Sequence, residues 1–378
     1  MPTTTISGHC DEAFRGVRDA FAANFADHDE VGACVAVCVE GRVVVDLWGG
    51  AADRQGRPWE RDTLVDVFSV GKAMVALSLL VLVERGRLDV DDPVSRHWPE
   101  FAAEGKGAIT VAQLMSHQGG LPGVRHPLAP TALYDWATMT RALAAETPWW
   151  EPGTAIGYHV NTLGFLGGEL VRRVSGVPFA TFFDREVARP LDADFHFGLA
   201  QSEHARVADF YFSSGASLPA AAFDRDELTW VYANPPGASG IGAVNTPEWR
   251  SAVHPSTNGH SNARAIARVY ELLAGGGRRG GVCLLDPATL SRATAPLSHG
   301  HDRILDRPSR FGFGFQLTMP ERPLGPGTAS FGHYGAGGSL GMADPDAGLA
   351  FGYCMNRFGL RWQDPRNRAL LAATYDAL

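Results

Sequence analysis

The sequence predicts a mixed α and β fold in which strands from the two ends of the chain form one central sheet, flanked by helices, with a helical insertion domain. Strand-like runs lie near both ends, whereas the long middle of the chain has helical spacing punctuated by proline and glycine. We therefore expect a sheet domain of residues 1–85 plus 305–378 and a mainly helical domain of residues 86–304. An active site is expected at the interface of the two.

The first part of the chain predicts a helix, a hairpin and a second helix. Residues 10–26 have apolar side chains at helical spacing. Residues 33–39 and 42–48 have the composition of strands and are joined at Glu40-Gly41, a typical hairpin signal. Residues 69–84 are apolar on nearly every side, which predicts a helix that is buried all round.

The middle of the chain predicts further helices, and the last part returns to strands before a closing helix. The predicted middle helices are residues 111–116, 132–145, 162–174, 179–188 and 262–273. The predicted C-terminal elements are strands at residues 311–318, 330–334, 339–343 and 349–355, and a helix at residues 366–378.

Composition and charge exclude several classes of protein. Of the 378 residues, 45% are hydrophobic and 20% are charged, which is typical of a packed core and not of a disordered chain. The net charge of −8 leaves no basic footprint for nucleic acid, and no apolar span or basic run predicts a membrane contact. The opening residues lack the pattern of a secretory signal and the five cysteines are scattered, so we expect a cytoplasmic protein with reduced thiols. No cofactor is predicted, and the sequence is compatible with a monomer or a homo-oligomer.

The clearest chemical signal is the pair Ser69 and Lys72 at the head of the apolar helix. Residues three apart share one face of a helix, so these two side chains should point the same way. Free N–H groups at the start of the helix favour negative charge near Ser69, and the apolar surroundings of Lys72 should lower its pKa. Lysine is rare here, since 31 of the 33 basic residues are arginine, which cannot act as a base. We predict that Ser69 is a nucleophile and Lys72 its general base.

Two further motifs carry groups that would complete such a site. Residues 157–161 contain Tyr158, whose phenol can relay a proton between nucleophile and leaving group if a nearby cation keeps its pKa low. Residues 331–338 form a glycine-rich strand, which allows a ligand or another backbone to come close. We expect the backbone N–H groups of Ser69 and Ala336 to form an oxyanion hole.

Taken in order, these motifs resemble those of the serine β-lactamase and penicillin-binding-protein superfamily, specifically the class C β-lactamase-like branch with its family VIII esterases. The resemblance extends from about residue 31 to residue 357 and includes the runs 88–94 and 114–122. The matched positions are Ser69 and Lys72 in the first motif, Tyr158 in the second, and His333 and Gly335 in the third. It implies a β-lactamase/transpeptidase-like fold with a central antiparallel sheet, and an acyl-enzyme formed on the serine.

Departures from the family pattern bear on the substrate. The second motif of the family is commonly Tyr-x-Asn, yet Val160 stands at the Asn position and Asn161 comes one residue later. His333 stands where many relatives carry Lys. The resemblance therefore favours hydrolysis of small carboxylic esters. Acyl transfer or amide formation from the same acyl-enzyme is the alternative, and β-lactamase or D-peptidase activity is less expected.

Several other residues are candidates for contact with an ester or acyl donor. His333 is expected to orient Tyr158 or to contact the substrate. The remaining substrate-binding or orienting candidates are Gly335, Trp150, His159 and Asn258, although a packing role for Trp150 and a helix-cap role near Asn258 remain open.

Three competing interpretations of the sequence are less favoured. Residues 337–341 match G-x-S-x-G, but a strand-like run follows instead of the helix that a nucleophile elbow requires, so we predict a hairpin. The histidine pairs 299/301 and 254/260 lack the spacing of helical zinc motifs and are expected in loops, so no metal site is predicted. A non-catalytic binding protein of the same fold usually lacks the serine, lysine or tyrosine, and labelling by a fluorophosphonate would distinguish it.

Overall fold

The computed structural model describes residues 4–212, 226–359 and 361–378, and the largest element within them is a nine-stranded antiparallel sheet. The strands in chain order are β1 (Ile6–Cys10), β2 (Gly32–Val39), β3 (Arg42–Gly50), β4 (Val65–Asp66), β5 (His260–Ser261), β6 (Arg278–Arg279), β7 (Val282–Cys283), β8 (Ser298–Asp302), β9 (Arg307–Phe311), β10 (Gln316–Leu317), β11 (Phe331–Tyr334), β12 (Leu340–Asp344) and β13 (Leu349–Met355). The sheet order is β1-β3-β2-β13-β12-β11-β10-β9-β8, and the pairs β4–β5 and β6–β7 are separate. The predicted fold class is confirmed.

Helices surround this sheet and fill the middle of the chain. They are α1 (Arg15–Asp27), α2 (Val70–Glu84), α3 (Val94–His97), α4 (Val111–Met115), α5 (Trp136–Ala145), α6 (Leu163–Ser175), α7 (Phe179–Phe183), α8 (Asp226–Tyr232), α9 (Pro247–Ser251), α10 (Ala263–Ala274), α11 (Pro287–Thr294) and α12 (Pro365–Tyr375). No helix in the part of the chain that the structure describes is both long and apolar enough to cross a bilayer.

The centre of the sheet joins the two ends of the chain. Strand β2 pairs with β13, and nearly every residue of both strands is buried. A strand that is apolar on both sides is expected where both faces of the sheet are covered. Helix α10 packs on β2, β12 and β13, and α1 packs with α12. The first and last parts of the chain therefore fold as one sheet, as the sequence predicts.

Two strands of the sheet have no counterpart in the sequence prediction. Strand β1 is mostly exposed, and it forms by pairing with the edge of β3. Strand β8 has the sequence Ser-His-Gly-His-Asp and pairs with β9, so the expectation that His299 and His301 lie in loops is wrong. Neither segment alternates apolar with polar residues, which is the signal that identifies a strand. Because β8 starts at Ser298, the sheet begins before the predicted boundary at residue 305, and the division into two domains remains a prediction.

The functional residues are collected where α2 meets β11. Helix α2 begins at Val70, directly after Ser69, and its N-terminal end lies beside β11. The predicted strand 311–318 is interrupted, since β9 ends at Phe311 and β10 begins at Gln316. Strand β11 is followed by a short turn at Ala336–Gly338 and then by β12, which is the hairpin predicted for this region.

Candidate active site

Ser69 lies at the N-terminus of α2, directly after a strained turn. Phe68 has a φ angle of 47°, in the left-handed region that a bulky side chain rarely adopts, at a cost of about 1–3 kcal/mol. The Asp66 carboxylate accepts hydrogen bonds from the Phe68 N–H at 2.8 Å and from the Trp249 indole at 2.6 Å. The Phe68 ring packs edge-on against Phe210, with centroids 5.0 Å apart. These contacts hold the turn in the conformation that presents Ser69.

Lys72 is placed to act on Ser69. Its side chain is completely buried one turn into α2, and its Nζ lies 2.9 Å from Ser69 Oγ. The same Nζ donates to the backbone carbonyls of Val160 at 2.7 Å and Ser256 at 3.1 Å. Burial lowers the pKa of Lys72 well below its ordinary value, which favours the neutral amine. A neutral amine that gives its two N–H groups to these carbonyls has its lone pair left for the Ser69 hydroxyl.

Tyr158 lies against both members of this pair. Its ring centroid is 4.8 Å from Lys72 Nζ, and its hydroxyl makes a hydrogen bond with the Ser69 side chain. Burial raises the pKa of Tyr158 far above its ordinary value, and the hydrogen bond to Ser69 offsets this only in part. The charge of Arg307 lowers this pKa, as predicted for a nearby cation, but desolvation outweighs its effect. Tyr158 is held as a protonated phenol, which is a proton donor.

His333 faces the hydroxyl of Tyr158. His333 Nδ1 lies 2.7 Å from the carbonyl oxygen of Tyr334, so this nitrogen carries the proton and Nε2 is an acceptor. Nε2 is 3.5 Å from the Tyr158 hydroxyl, a long contact that can shorten when substrate binds. Burial lowers the pKa of His333 to about 3, so the ring is neutral. The arrangement fits the orienting role predicted for His333.

Two backbone N–H groups are available to hold an oxyanion. Within the described residues, the N–H groups of Ser69 and Ala336 donate no hydrogen bond. The turn that contains Ala336 is fixed against the nucleophile turn, since Ser339 Oγ donates to the carbonyl of Val67 at 3.0 Å. Gly335 packs on the same carbonyl so closely that a Cβ atom would lie 2.3 Å from its oxygen. This packing explains why a glycine is required before Ala336.

Ser339 has a structural role and does not head a nucleophile elbow. Its side chain is completely buried, its hydroxyl is donated to Val67, and strand β12 follows at Leu340. An elbow serine would instead be exposed at the head of a helix. The hairpin prediction for residues 337–341 is confirmed.

Two predicted binding residues have their polar groups occupied elsewhere. His159 Nδ1 lies 2.7 Å from the carbonyl of Gly157, and Nε2 accepts the N–H of Leu121 at 3.0 Å. The Asn258 amide donates to the backbone carbonyls of Trp249 and Ala252 and accepts the backbone N–H of His254 at 2.8 Å. Backbone groups thus occupy polar atoms of both buried side chains, and the substrate-binding or orienting role of His159 and Asn258 stays a prediction.

Trp150 has a mixed role. Its ring packs against Gly157, where an added Cβ would lie 2.2 Å from a ring carbon, so it supports the segment that carries Tyr158. It also lines a cavity of about 250 Å³. The other residues around this cavity are Trp149, Glu227, His301, Arg303 and Ile304. Trp150 is thus both a packing residue and part of a pocket wall.

Asp302 is a positioning residue that has no signal in the sequence. It is completely buried at the end of β8, and its Oδ1 accepts the backbone N–H of Tyr158 at 3.0 Å. The same oxygen accepts the N–H groups of Ile304 and Leu305, each at 3.0 Å. Asp302 therefore fixes the backbone of Tyr158. His117 also packs against Tyr158, since the centroids of the two rings are 4.7 Å apart.

The geometry of these residues indicates a class of enzyme. A serine beside a buried lysine amine, with a phenol in contact and two backbone N–H groups that donate no hydrogen bond, is the arrangement expected of a serine hydrolase without a Ser-His-Asp triad.

Comparison with known proteins agrees with this class. The model of the β-lactamase family matches residues 17–376. Esterase/beta-lactamase LipL of Mycobacterium tuberculosis is 34% identical over 93% of this chain and 83% of its own length. A family VIII carboxylesterase of known structure superposes with a TM-score of 0.93 at 41% identity, covering 99% of this chain and 100% of that chain. A penicillin-binding protein homologue from Caulobacter crescentus superposes with a TM-score of 0.90 at 40% identity, over 99% and 100% of the two chains. This chain belongs to the β-lactamase family, and it is a serine hydrolase.

We expect Gly335→Ala to lower kcat by about 10²–10³-fold, the usual cost of removing one oxyanion donor. The added methyl group would push the Ala336 N–H away from Ser69, because it collides with the Val67 carbonyl. Steady-state kinetics will measure the loss. Gly107→Ala is the matched control, since a Cβ there is exposed and its nearest neighbour is 3.8 Å away. A Gly335→Ala enzyme with the kinetics of Gly107→Ala would contradict the assignment.

The acid limb of the pH profile is expected to belong to Lys72. Burial lowers the pKa of His333 to about 3 and that of His159 to about 4, and it lowers the pKa of His117 well below its ordinary value. Burial thus disfavours the protonated form of all three rings, and we expect the acid limb to report the Lys72 amine, which is inactive once protonated. We expect kcat/KM to fall as the pH is lowered through the pKa of Lys72. His333→Asn should leave the midpoint of this limb in place, and disappearance of the limb in that variant would assign it to the histidine.

Proposed function

We propose that this protein is a carboxylesterase that cleaves small carboxylic esters through an acyl-enzyme on Ser69. The observation that carries the proposal is the buried Lys72 amine, 2.9 Å from Ser69 Oγ, with two backbone carbonyls as its other hydrogen-bond partners. The similarity to LipL, which is named an esterase, and to a family VIII carboxylesterase supports the ester as substrate.

In the acylation half, Ser69 Oγ attacks the ester carbonyl while the Ser69 proton passes to the neutral amine of Lys72. The carbonyl oxygen becomes an oxyanion that the N–H groups of Ser69 and Ala336 stabilise. When the tetrahedral intermediate collapses, the bond to the alcohol oxygen breaks and the leaving alkoxide takes the proton of Tyr158. The Lys72 ammonium then returns a proton to Tyr158, so the alcohol leaves and both side chains regain their resting forms.

Deacylation runs through the same groups in the reverse order. Water attacks the acyl carbonyl, and its proton passes by way of Tyr158 to Lys72. The bond to Ser69 Oγ breaks, the serine regains a proton from the lysine, and the carboxylic acid is released. An acceptor alcohol or amine in place of water gives acyl transfer, so the mechanism is common to the hydrolase and to the alternative transferase.

The second motif argues for esters over amides or β-lactams. Asn161, one place after the position that relatives use, donates its amide to the carbonyl of Val231 and to Ser239 Oγ, at 2.8 and 3.2 Å. Its two amide N–H groups are therefore occupied. Val160 contributes only its carbonyl, which Lys72 uses. Val160 therefore offers no side chain that could hydrogen-bond the amide group of a substrate, and an ester has no such amide group.

We expect Tyr158→Phe to lower kcat by about 10²–10⁴-fold for esters of ordinary alcohols. Loss of the phenol removes the acid that protonates the leaving alkoxide. Esters of 4-nitrophenol should suffer a much smaller loss in the acylation step, because nitrophenolate leaves without a proton. Single-turnover rates on an ethyl ester and a 4-nitrophenyl ester of the same acid will measure the difference. An equal loss on both substrates would contradict the role of Tyr158 as an acid.

The proposed function is tested by assaying the purified protein on short-chain esters and a cephalosporin, with and without acceptor alcohols and amines. We expect the free acid as main product, Ser69-dependent labelling by a fluorophosphonate, and little cephalosporin turnover. Preferential formation of the acceptor ester or amide over the acid would favour the transferase. Absence of both turnover and labelling would overturn the proposal in favour of a non-catalytic protein.

A further inference from the structure

Two arginines near the proposed active site lack the ion-pair partners that are common elsewhere in the chain. Arg264 forms an ion pair with Asp46 at 2.8 Å, and Arg366 forms one with Glu30 at 2.8 Å. Many other arginines of the described residues also form ion pairs, each with a carboxylate of its own surroundings. Within the described ranges, neither Arg307 nor Arg322 forms an ion pair with a carboxylate. Burying part of an arginine removes water from its charge, and without an ion-pair partner this loss of hydration free energy is not compensated.

Arg307 is separated from Tyr158 by the ring of Trp362. Its guanidinium carbon is 4.3 Å from the ring centroid of Trp362, and that ring is 5.2 Å from the ring of Tyr158. The Nε atom of Arg307 is buried and has no hydrogen-bond partner among the residues described. Stacking on Trp362 occupies one face of the guanidinium and leaves its N–H edge for a ligand.

Arg322 adds a second positive charge to the same region. Among the described residues, its guanidinium makes a hydrogen-bonding contact with the thioether of Met319, 3.7 Å away, which is a weak acceptor. Burial and the nearby charge of Arg322 lower the pKa of Arg307 to about 10, so Arg307 stays charged at neutral pH, as arginine does in general. The positive charges of Arg307 and Arg322 repel each other because both side chains are partly removed from water. A bound anion would reduce this repulsion.

The carboxylates near these arginines do not fill this role. Asp302, the cross-strand partner of Arg307 in the β8–β9 hairpin, lies near both arginines, and Glu321 lies near Arg322. Within the described residues neither carboxylate forms an ion pair with Arg307 or Arg322, and Asp302 Oδ1 accepts three backbone N–H groups, including that of Tyr158. Asp302 thus positions Tyr158, and the Nε atom of Arg307 remains without a hydrogen-bond partner among the described residues.

We propose that Arg307 and Arg322 form a subsite for a carboxylate carried by the ester substrate, at a distance from the scissile carbonyl. Guanidinium groups match carboxylates in geometry and can bind them through two parallel hydrogen bonds. Because the Trp362 ring contacts both Arg307 and Tyr158, a carboxylate on the arginine side of that ring would lie away from the reacting carbon. The inference rests on the proposed esterase function and narrows its substrate class to monoesters that bear a free carboxylate.

The test compares matched pairs of esters that differ in one charge. One arm uses the 4-nitrophenyl monoester of glutaric acid against its methyl-capped neutral form, which places the carboxylate on the acyl side. The other uses the acetate ester of 4-hydroxybenzoic acid against that of its methyl ester, which places it on the alcohol side. We expect at least one pair to show a preference for the carboxylate of about tenfold or more in kcat/KM, as a charged hydrogen bond of about 1.5–3 kcal/mol implies.

Variants connect the preference to the arginines. Arg307→Gln and Arg322→Gln should each bring the ratio of the two kcat/KM values close to one. Arg292→Gln, which removes an exposed arginine paired with Asp91 at 3.6 Å, should retain the wild-type ratio. Equal kcat/KM values for both members of both pairs in the wild-type enzyme would overturn the subsite, even if a variant failed to fold. Absence of turnover on all four esters would instead refute the esterase function itself.

Discussion

Ser69→Ala is expected to lower kcat/KM for ester hydrolysis by about 10⁶-fold, the loss typical of removing a nucleophilic serine. The effect should be this large because the acyl-enzyme requires the oxygen, and neither Lys72 nor Tyr158 can replace it. Folding should be little changed, since Ser69 caps no backbone N–H through its side chain. Steady-state kinetics and thermal unfolding of the same preparation will separate the two effects.

Ser339→Ala distinguishes the two serines that lie in recognisable motifs. The variant loses the hydrogen bond to Val67 and should retain labelling by a fluorophosphonate. If Ser339→Ala abolished labelling and Ser69→Ala retained it, the nucleophile would be misassigned.

Lys72→Arg should lower kcat/KM by about 10²–10⁴-fold, the contribution usual for a general base. Arginine keeps the positive charge but cannot accept the serine proton. The chain offers a close control in Lys106, the only other lysine, which is also buried and donates to the backbone carbonyls of Ala103 and Glu146. Lys106→Arg imposes a similar change of side chain away from Ser69, so it should retain activity. Equal activity of Lys72→Arg and Lys106→Arg would exclude Lys72 as the base.

Local features of the site could be predicted from the sequence, and contacts between distant segments could not. Ser69 and Lys72 share one helix turn, so their spacing alone predicts the 2.9 Å contact. The carbonyls of Val160 and Ser256 that orient the amine come from segments 88 and 184 residues away. No periodicity or motif identifies a backbone carbonyl as a partner.

The same distinction applies to His159 and Asp302. His159 follows the tyrosine of the second motif, and only the structure shows that backbone groups satisfy both of its nitrogens. Asp302 could not be predicted because it lies in a polar strand that forms only by pairing with β9, and it reaches Tyr158 across 144 residues. The depth of burial, which raises the pKa of the Tyr158 phenol, is likewise visible only in the structure.

The most direct test of the central claim is to locate the covalent adduct that a fluorophosphonate leaves on the enzyme. Intact mass will give the number of adducts, and peptide mapping will give the residue. We predict a single phosphonyl group on Ser69, absent from Ser69→Ala, present in Ser339→Ala, and formed much more slowly in Lys72→Arg. An adduct on another residue, or labelling of Ser69→Ala at the wild-type rate, would contradict it.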